Sequence, residues 1–131
     1  MRIVFDTNVL LAAFGTRGLC ESLFDLCLAQ HEIVLCAEIL DEVSEHLGGK
    51  FRVPESRVQS IVRFLRIQSI MVIPADVPGD ACRDAEDLMV LGAGVAGNAE
   101  VIVTGDKDLL SIGSYSAIRI LTPRALFLEL N

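Results

Sequence analysis

Short uninterrupted apolar runs alternate along this chain with stretches in which apolar residues recur every three to four positions. The runs Arg2-Ile-Val-Phe5, Ile33-Val-Leu-Cys36, Ile70-Met-Val-Ile73, Val101-Ile-Val103 and Ala117–Leu121 predict five strands. Between them, Leu19, Leu23, Leu26 and Cys27 mark one face of a helix that ends near the polar Gln30. Ile39, Leu40, Val43 and Leu47 line a second helix, stopped by Gly48-Gly49. Val58, Ile61, Val62 and Leu65 line a third, which Pro54 is suited to open. A further helix begins at Asp84, and Thr122-Pro123 opens the last with residues favoured at the N-cap and first position. Strands that are apolar throughout, separated by helices, belong to a parallel sheet covered on both faces. The expected fold class is therefore α/β: a three-layer α/β/α sandwich around a doubly wound, roughly five-stranded parallel sheet. With 131 residues, a single domain over 1–131 is expected, with no internal repeat or linker.

Composition narrows the function classes. At 52% hydrophobic and 22% charged residues the chain is too apolar to be disordered. Its longest uncharged run, residues 88–99, is shorter than the roughly 20 residues a membrane span needs. Asp6 interrupts the first apolar stretch, so no secretory signal is read, and the four cysteines show no CxxC spacing. Buried thiols, a cytoplasmic location and no membrane association are expected. The net charge of −7 gives no generic affinity for phosphate backbones. One stretch runs against it: Lys50, Arg52, Arg57, Arg63 and Arg66 face Glu55 alone, so residues 50–69 carry +4 and the remainder −11. That patch reads as a solvated helix face, an RNA backbone track built on Arg52, Arg57, Arg63 and Arg66, or a dock for an acidic segment.

The chemistry lies in the acids. In open α/β sheets, sites form beyond the carboxyl ends of the strands where the strand order reverses. Asp6 follows the first strand, Asp106 the fourth, and Asp84 and Asp87 open the helix after the third. Glu42 sits at the margin of an apolar helical stripe and can lean over the same edge. Singly, each has an ordinary explanation. Asp6, Asp84 and Asp106 stand where N-caps are wanted, Asp84-x-x-Asp87 resembles a capping box, and Glu42 suits a solvated helix face. Collectively they are harder to dismiss, because two carboxylates ~4 Å apart repel by about 4 kcal/mol at an effective dielectric of 20. A divalent cation reverses that penalty, and Mg²⁺ or Mn²⁺ suits an all-oxygen donor set. Metal-dependent phosphodiester hydrolysis is the chemistry suggested.

Five segments then occur in order: Asp6-Thr-Asn-Val-Leu-Leu-Ala-Ala-Phe14, Ile39-Leu-Asp-Glu-Val43, Cys82-Arg-Asp-Ala-Glu-Asp87, Val103-Thr-Gly-Asp-Lys-Asp-Leu-Leu110 and Leu121-Thr-Pro-Arg124. Together they resemble the PIN-domain nucleases, and among these the VapC-like toxins of toxin–antitoxin pairs. The resemblance implies an Mg²⁺- or Mn²⁺-dependent endoribonuclease that leaves 5′-phosphate and 3′-hydroxyl ends, an antitoxin partner and a homodimer. It implies Asp6, Glu42, Asp87 and Asp106 as metal ligands and catalytic acids. Asn8 and Thr104 are implied to orient those carboxylates, while Asp84 and Asp108 match acidic positions less closely tied to metal. The sequence departs from the family at Ala85, where proline is usual, and at Leu88, where a polar or acidic residue is frequent. The second departure leaves one metal or two open.

Other signals carry less. Gly92-Ala-Gly-Val-Ala-Gly97 matches the dinucleotide fingerprint GxGxxG, but a strand follows it directly and leaves no room for the helix that fingerprint must open. A helix whose small residues let it approach the sheet explains it better. His31 and His46 have no partner at metal or triad spacing and read as surface residues. Phosphoaspartyl chemistry at Asp6 lacks the adjacent acidic pair that receivers carry on their first strand. The competing reading from another class is a catalytically inactive PIN-fold module that binds RNA or protein.

Overall fold

A computed structural model describes residues 1–131. The chain runs β1 (Arg2–Phe5), α1 (Thr7–Gly15), α2 (Leu19–Gln30), β2 (Glu32–Cys36), α3 (Ala37–Gly48), α4 (Glu55–Gln68) and β3 (Ile70–Val72). It continues with α5 (Ala85–Ala96), β4 (Val101–Val103), α6 (Lys107–Ile112), β5 (Ser114–Tyr115), β6 (Ile118–Leu121) and α7 (Pro123–Leu130). The strands form one sheet in the order β3-β2-β1-β4-β6-β5. Every pairing is parallel except that of β5 with β6.

The five expected strands are the five parallel ones. The sixth was not legible, because its two residues make no hydrophobic pattern. It exists because Ser116 and Ala117 both adopt positive φ, 50° and 66°, and fold the chain back from Tyr115 onto Ile118. Two successive positive-φ residues are the geometry of a tight hairpin turn, normally advertised by Asn-Gly or Asp-Gly. Ala117, expected within the strand, belongs to that turn. Ile73, expected to end β3, lies beyond it and is 89% exposed.

Register assigns the two faces of the sheet. Val4 pairs with Val34 and with Ile102, and Ile102 pairs with Ile120, so these four lie in one row. Ile3, Ile33 and Val101 form a neighbouring row on the opposite face. α5 covers the Val4 face, where a Cβ on Gly97 would fall 2.6 Å from Val34 Cγ1. α1 to α4 and α7 pack on one another over the other face, where Phe24 of α2 meets Phe5 edge-on with centroids 5.7 Å apart. Three layers result, and one cluster of 31 buried residues unites them.

The glycine-rich segment does what a close helix–sheet approach requires. A Cβ on Gly92 would sit 2.3 Å from the Ala75 carbonyl oxygen, and the Ala75 amide donates to the Gly92 carbonyl at 3.0 Å. Residues 74–76 therefore strap across α5 at a position only glycine fits. No helix of the protein is long and apolar enough to cross a membrane. All four cysteines are free thiols, Cys27 and Cys36 buried, Cys20 and Cys82 half-buried.

Candidate metal centre

After β1 the chain turns to β2 and β3 on one side, then returns to β4 on the other. The strand order therefore reverses between β1 and β4, and the crevice this makes opens at their carboxyl ends. Phe5 is paired with Val103, so the next residues, Asp6 and Thr104, emerge side by side. The Asp6 amide donates to the Val103 carbonyl at 3.1 Å, extending the ladder one residue past the strand.

Asp6 is 7% exposed and accepts three hydrogen bonds, which leaves acceptor capacity on its carboxylate. Its Oδ1 accepts from the Thr7 amide at 2.8 Å, and its Oδ2 from Asn8 Nδ2 at 3.1 Å and from Thr104 Oγ1 at 2.7 Å. Thr104 Oγ1 in turn accepts from the Asp106 amide at 3.0 Å, and Asn8 Oδ1 from the Gly105 amide at 2.9 Å. Asn8 and Thr104 thus hold both the first carboxylate and the loop that carries Asp106. Asp106 caps α6, its Oδ1 accepting from the amides of Asp108 at 2.7 Å and Leu109 at 3.3 Å. Both Asp6 and Asp106 cap helices, and capping leaves each with acceptor positions to spare, since a carboxylate has more of them than a cap uses.

Asp87 differs from the capping-box reading. Asp84 does cap α5, accepting from the Glu86 amide at 2.9 Å, but Asp87 turns inward and is 5% exposed. Its Oδ2 accepts from Cys82 Sγ at 3.5 Å. Burial, with the neighbouring charge of Asp106 and smaller contributions from Asp84 and Asp6, pushes its carboxyl up to about 6. Burial also raises Asp6, against its three hydrogen bonds, and raises Glu42, where Glu86 and Asp6 add to the effect. Glu42 reaches over from α3, and its Oε1 accepts from Thr7 Oγ1 at 3.3 Å.

The structure brings Asp6, Glu42, Asp87 and Asp106 around one pocket of about 180 Å³. Thr7, Asn8, Leu11 and Val90 complete its walls, and two further titratable residues line it that the sequence pattern does not place there, Glu86 and His46. His46 is exposed, and its Nδ1 lies 2.8 Å from the Glu42 carbonyl. The available signal was Glu42-x-x-x-His46, a spacing that puts both on one helix face. Glu86 supplies an acidic side chain beside Asp87 on the side opposite Leu88. Asp108 belongs to the cluster more firmly than expected: carboxylate oxygens of Asp87, Asp106 and Asp108 lie within 4.8 Å of one another. Asp84 stays outside as a cap.

The arginines are not gathered into one patch. Arg57 and Arg66 are nine residues apart, two and a half turns of helix, and so point to opposite flanks of α4. Arg57 joins Phe14, Phe24 and Phe64 on the flank facing α1 and α2. Arg63 and Arg66 face Ser44 of α3 on the other. The exposed ridge of α3 between Ser44 and Glu42 carries Asp41 and Glu45. Arg52 sits apart in the turn between α3 and α4, at φ 53°.

The carboxylates of Asp87, Asp106 and Asp108, close enough to share one ion, stand at the switch point beside Asp6 and Glu42. Burial raises the carboxyls of Asp6, Glu42 and Asp87, and this oxygen-rich arrangement fits a hard divalent cation. The sequence matches the PIN-domain family over residues 2–108. The chain belongs to the PIN-domain family. PIN domains are nucleases as a family, and this one shares 28% identity over 118 residues with an uncharacterized protein of Methanocaldococcus jannaschii, covering 86% of this chain and 75% of that one. Its fold is similar to a chain in the crystal structure of VapBC2 from Rickettsia felis bound to a DNA fragment from their promoter. The TM-score is 0.65 at 14% identity, covering 93% of this PIN domain and 98% of that chain.

Proposed function

We propose that this PIN domain is an endoribonuclease dependent on Mg²⁺ or Mn²⁺ and acts as the toxin of a toxin–antitoxin pair. The observation that carries the reading is the convergence of Asp6, Glu42, Asp87 and Asp106 on one pocket, with Asp87 pushed up to about 6 by burial and like charge. So many acids facing one small space destabilise the fold unless a cation is held among them.

Asp87, Asp106 and Asp6 would hold the ion, with Glu42 as a further ligand or water-orienting group and Asp108 adjoining. Bound there, a divalent cation supplies neutralisation of phosphate charge and activation of water at neutral pH. The remaining work belongs to the protein. Asn8 and Thr104 fix the Asp6 carboxylate, so that little reorganisation is needed as negative charge builds on phosphate oxygens. Glu42 and Glu86 line the same pocket, and their acceptor oxygens would orient an attacking water. Hydrolysis in line would expel the 3′-oxygen and leave a 5′-phosphate.

For an antitoxin, the supporting feature is the groove where exposed Phe64 and Arg57 and half-buried Phe14 lie over the buried Phe24, since aromatic residues and arginine are enriched where proteins dock. The similarity to a chain of the Rickettsia felis VapBC2 complex supports the same role. A cytoplasmic location and a homodimer accord with this reading. The RNA-contacting role of Arg52, Arg57, Arg63 and Arg66 is retained only piecewise, as separate contacts on two flanks.

The test is cleavage of single-stranded RNA with Mn²⁺, against EDTA and against Asp6→Asn. Cutting that needs metal and disappears in Asp6→Asn is expected. Equal cutting by the variant would trace to a contaminant and remove the nuclease reading, while metal binding without cutting of any RNA would favour an inactive binding module.

A further inference from the structure

A second pocket, of about 380 Å³, adjoins the acidic one between the 79–83 segment and α6. Asp108, Ser111 and Ile112 form its α6 wall, and Asp80, Cys82 and Arg83 stand on the other, so two carboxylates share the pocket with one guanidinium. Two links tie it to the metal centre. Cys82 lines it and donates to Asp87, and Asp108 lines it while its carboxylate lies within 4.8 Å of those of Asp87 and Asp106. Its size falls in the roughly 300–1,000 Å³ range of small-molecule sites.

Its chemistry is distinctive within this molecule. Arg83 is the only lysine or arginine lining either pocket. Its one ionic partner is Asp108, at 4.0 Å, and its side chain is 93% exposed, so most of its five donors are free. Exposed pairs of this kind contribute little, so exchanging Asp108 for a phosphate is inexpensive. The guanidinium fork matches phosphate oxygens, and Ser111 Oγ, which donates its proton to the Asp108 carbonyl at 2.7 Å, is left to accept from a ribose hydroxyl. The walls hold no aromatic side chain on which a base could stack.

We propose that this pocket seats the sugar–phosphate of the nucleotide flanking the cleaved bond, with Arg83 contacting its phosphate. The inference rests on the ribonuclease reading above. It deepens that reading by giving the RNA a direction of approach, past α6 rather than over the acidic ridge of α3. It also makes the contact blind to sequence, because backbone contacts position a nucleic acid without reading its bases.

The experiment uses the full chain carrying Asp6→Asn, to suppress cutting, with fluorescein-labelled single-stranded RNA octamers of different sequence in Ca²⁺ buffer. Anisotropy is followed over a salt series. Adding Arg83→Gln should weaken binding by about 5–20-fold for every octamer and flatten the slope of log K against log salt by about 0.7, the loss of one phosphate contact on a single strand. Arg83→Lys should recover part of the affinity and all of the slope. Arg17→Gln, an exposed arginine outside both pockets, should change neither. In the cutting background, Arg83→Gln should raise KM with kcat within about two-fold of wild type. Unchanged affinity and slope in Arg83→Gln, or no measurable binding by the parent, overturns the proposal whether or not the wild type cuts RNA. If binding falls as expected but the wild type cuts nothing, the pocket stands and the ribonuclease reading fails.

Discussion

Thr104 Oγ1 donates to Asp6 Oδ2 at 2.7 Å and accepts from the Asp106 amide at 3.0 Å, so one fully buried hydroxyl joins the two acids that follow the central strands. Asp6 and Asp106 are a hundred residues apart in the chain. Their relative position is set by this bridge and by the parallel register of Phe5 with Val103. Thr104→Val keeps the shape and removes the hydroxyl, leaving a buried carboxylate oxygen and a backbone amide short of a partner. Mn²⁺ affinity or RNA cleavage should fall by about 10–100-fold, with stability lower by about 1–3 kcal/mol. Thr104→Ser should retain most of both. Metal titration followed by melting, with urea unfolding in parallel, checks this.

The raised Asp87 carboxyl fixes the sign of a pH effect. Its value is about 6 in the folded protein against an ordinary 3.8, so the folded state binds the proton more tightly across that window. Its contribution to stability is full below the ordinary value and is lost as pH rises through about 6. Asp6 and Glu42, also raised, act in the same direction. In EDTA the protein should therefore melt higher at about pH 5 than at about pH 7.5, and Asp87→Asn should remove much of that difference. A wild-type melting point that climbs steadily between those two values would contradict the assignment.

Divalent metal should reverse the trend. Saturation to a hundred times Kd stabilises a native state by about 2.7 kcal/mol, which raises the melting point of a chain this size by several degrees. Because protons compete for the same oxygens, the gain with Mn²⁺ should be larger at about pH 7.5 than at about pH 5. Asp106→Asn should abolish most of it. Glu86→Gln, which removes charge from the pocket wall, should raise the metal-free melting point and reduce the Mn²⁺ increment.

Gly92→Ala separates helix propensity from packing. On propensity alone the change favours α5 by about 1 kcal/mol. The new Cβ, however, would fall 2.3 Å from the Ala75 carbonyl oxygen. Net destabilisation of about 1–3 kcal/mol is expected, read from urea unfolding. Rapid proteolysis within residues 74–84, the strap that leads to Cys82 and Arg83, should accompany it.

The sequence by itself determined the layers. Apolar runs such as Ile33–Cys36 have no polar face to turn to water, so a sheet covered on both sides follows from the hydrophobic pattern alone, as does the stripe of Val58, Ile61 and Leu65 beneath α4. It also supplied the acids after β1 and β4, because a residue one step past a buried strand must lie at the rim of the sheet. Only tertiary structure decided which acids meet. Asp87 is a cap-region residue by its neighbours and a buried pocket acid by its surroundings, while Glu86, His46 and Asp108 join through the placement of α3, α5 and α6. The arginines of α4 show the converse: contiguous in charge along the chain, they are divided by helical geometry. Local pattern fixes what each segment must bury. The meeting of charges depends on strand order and crossovers, which no local pattern encodes.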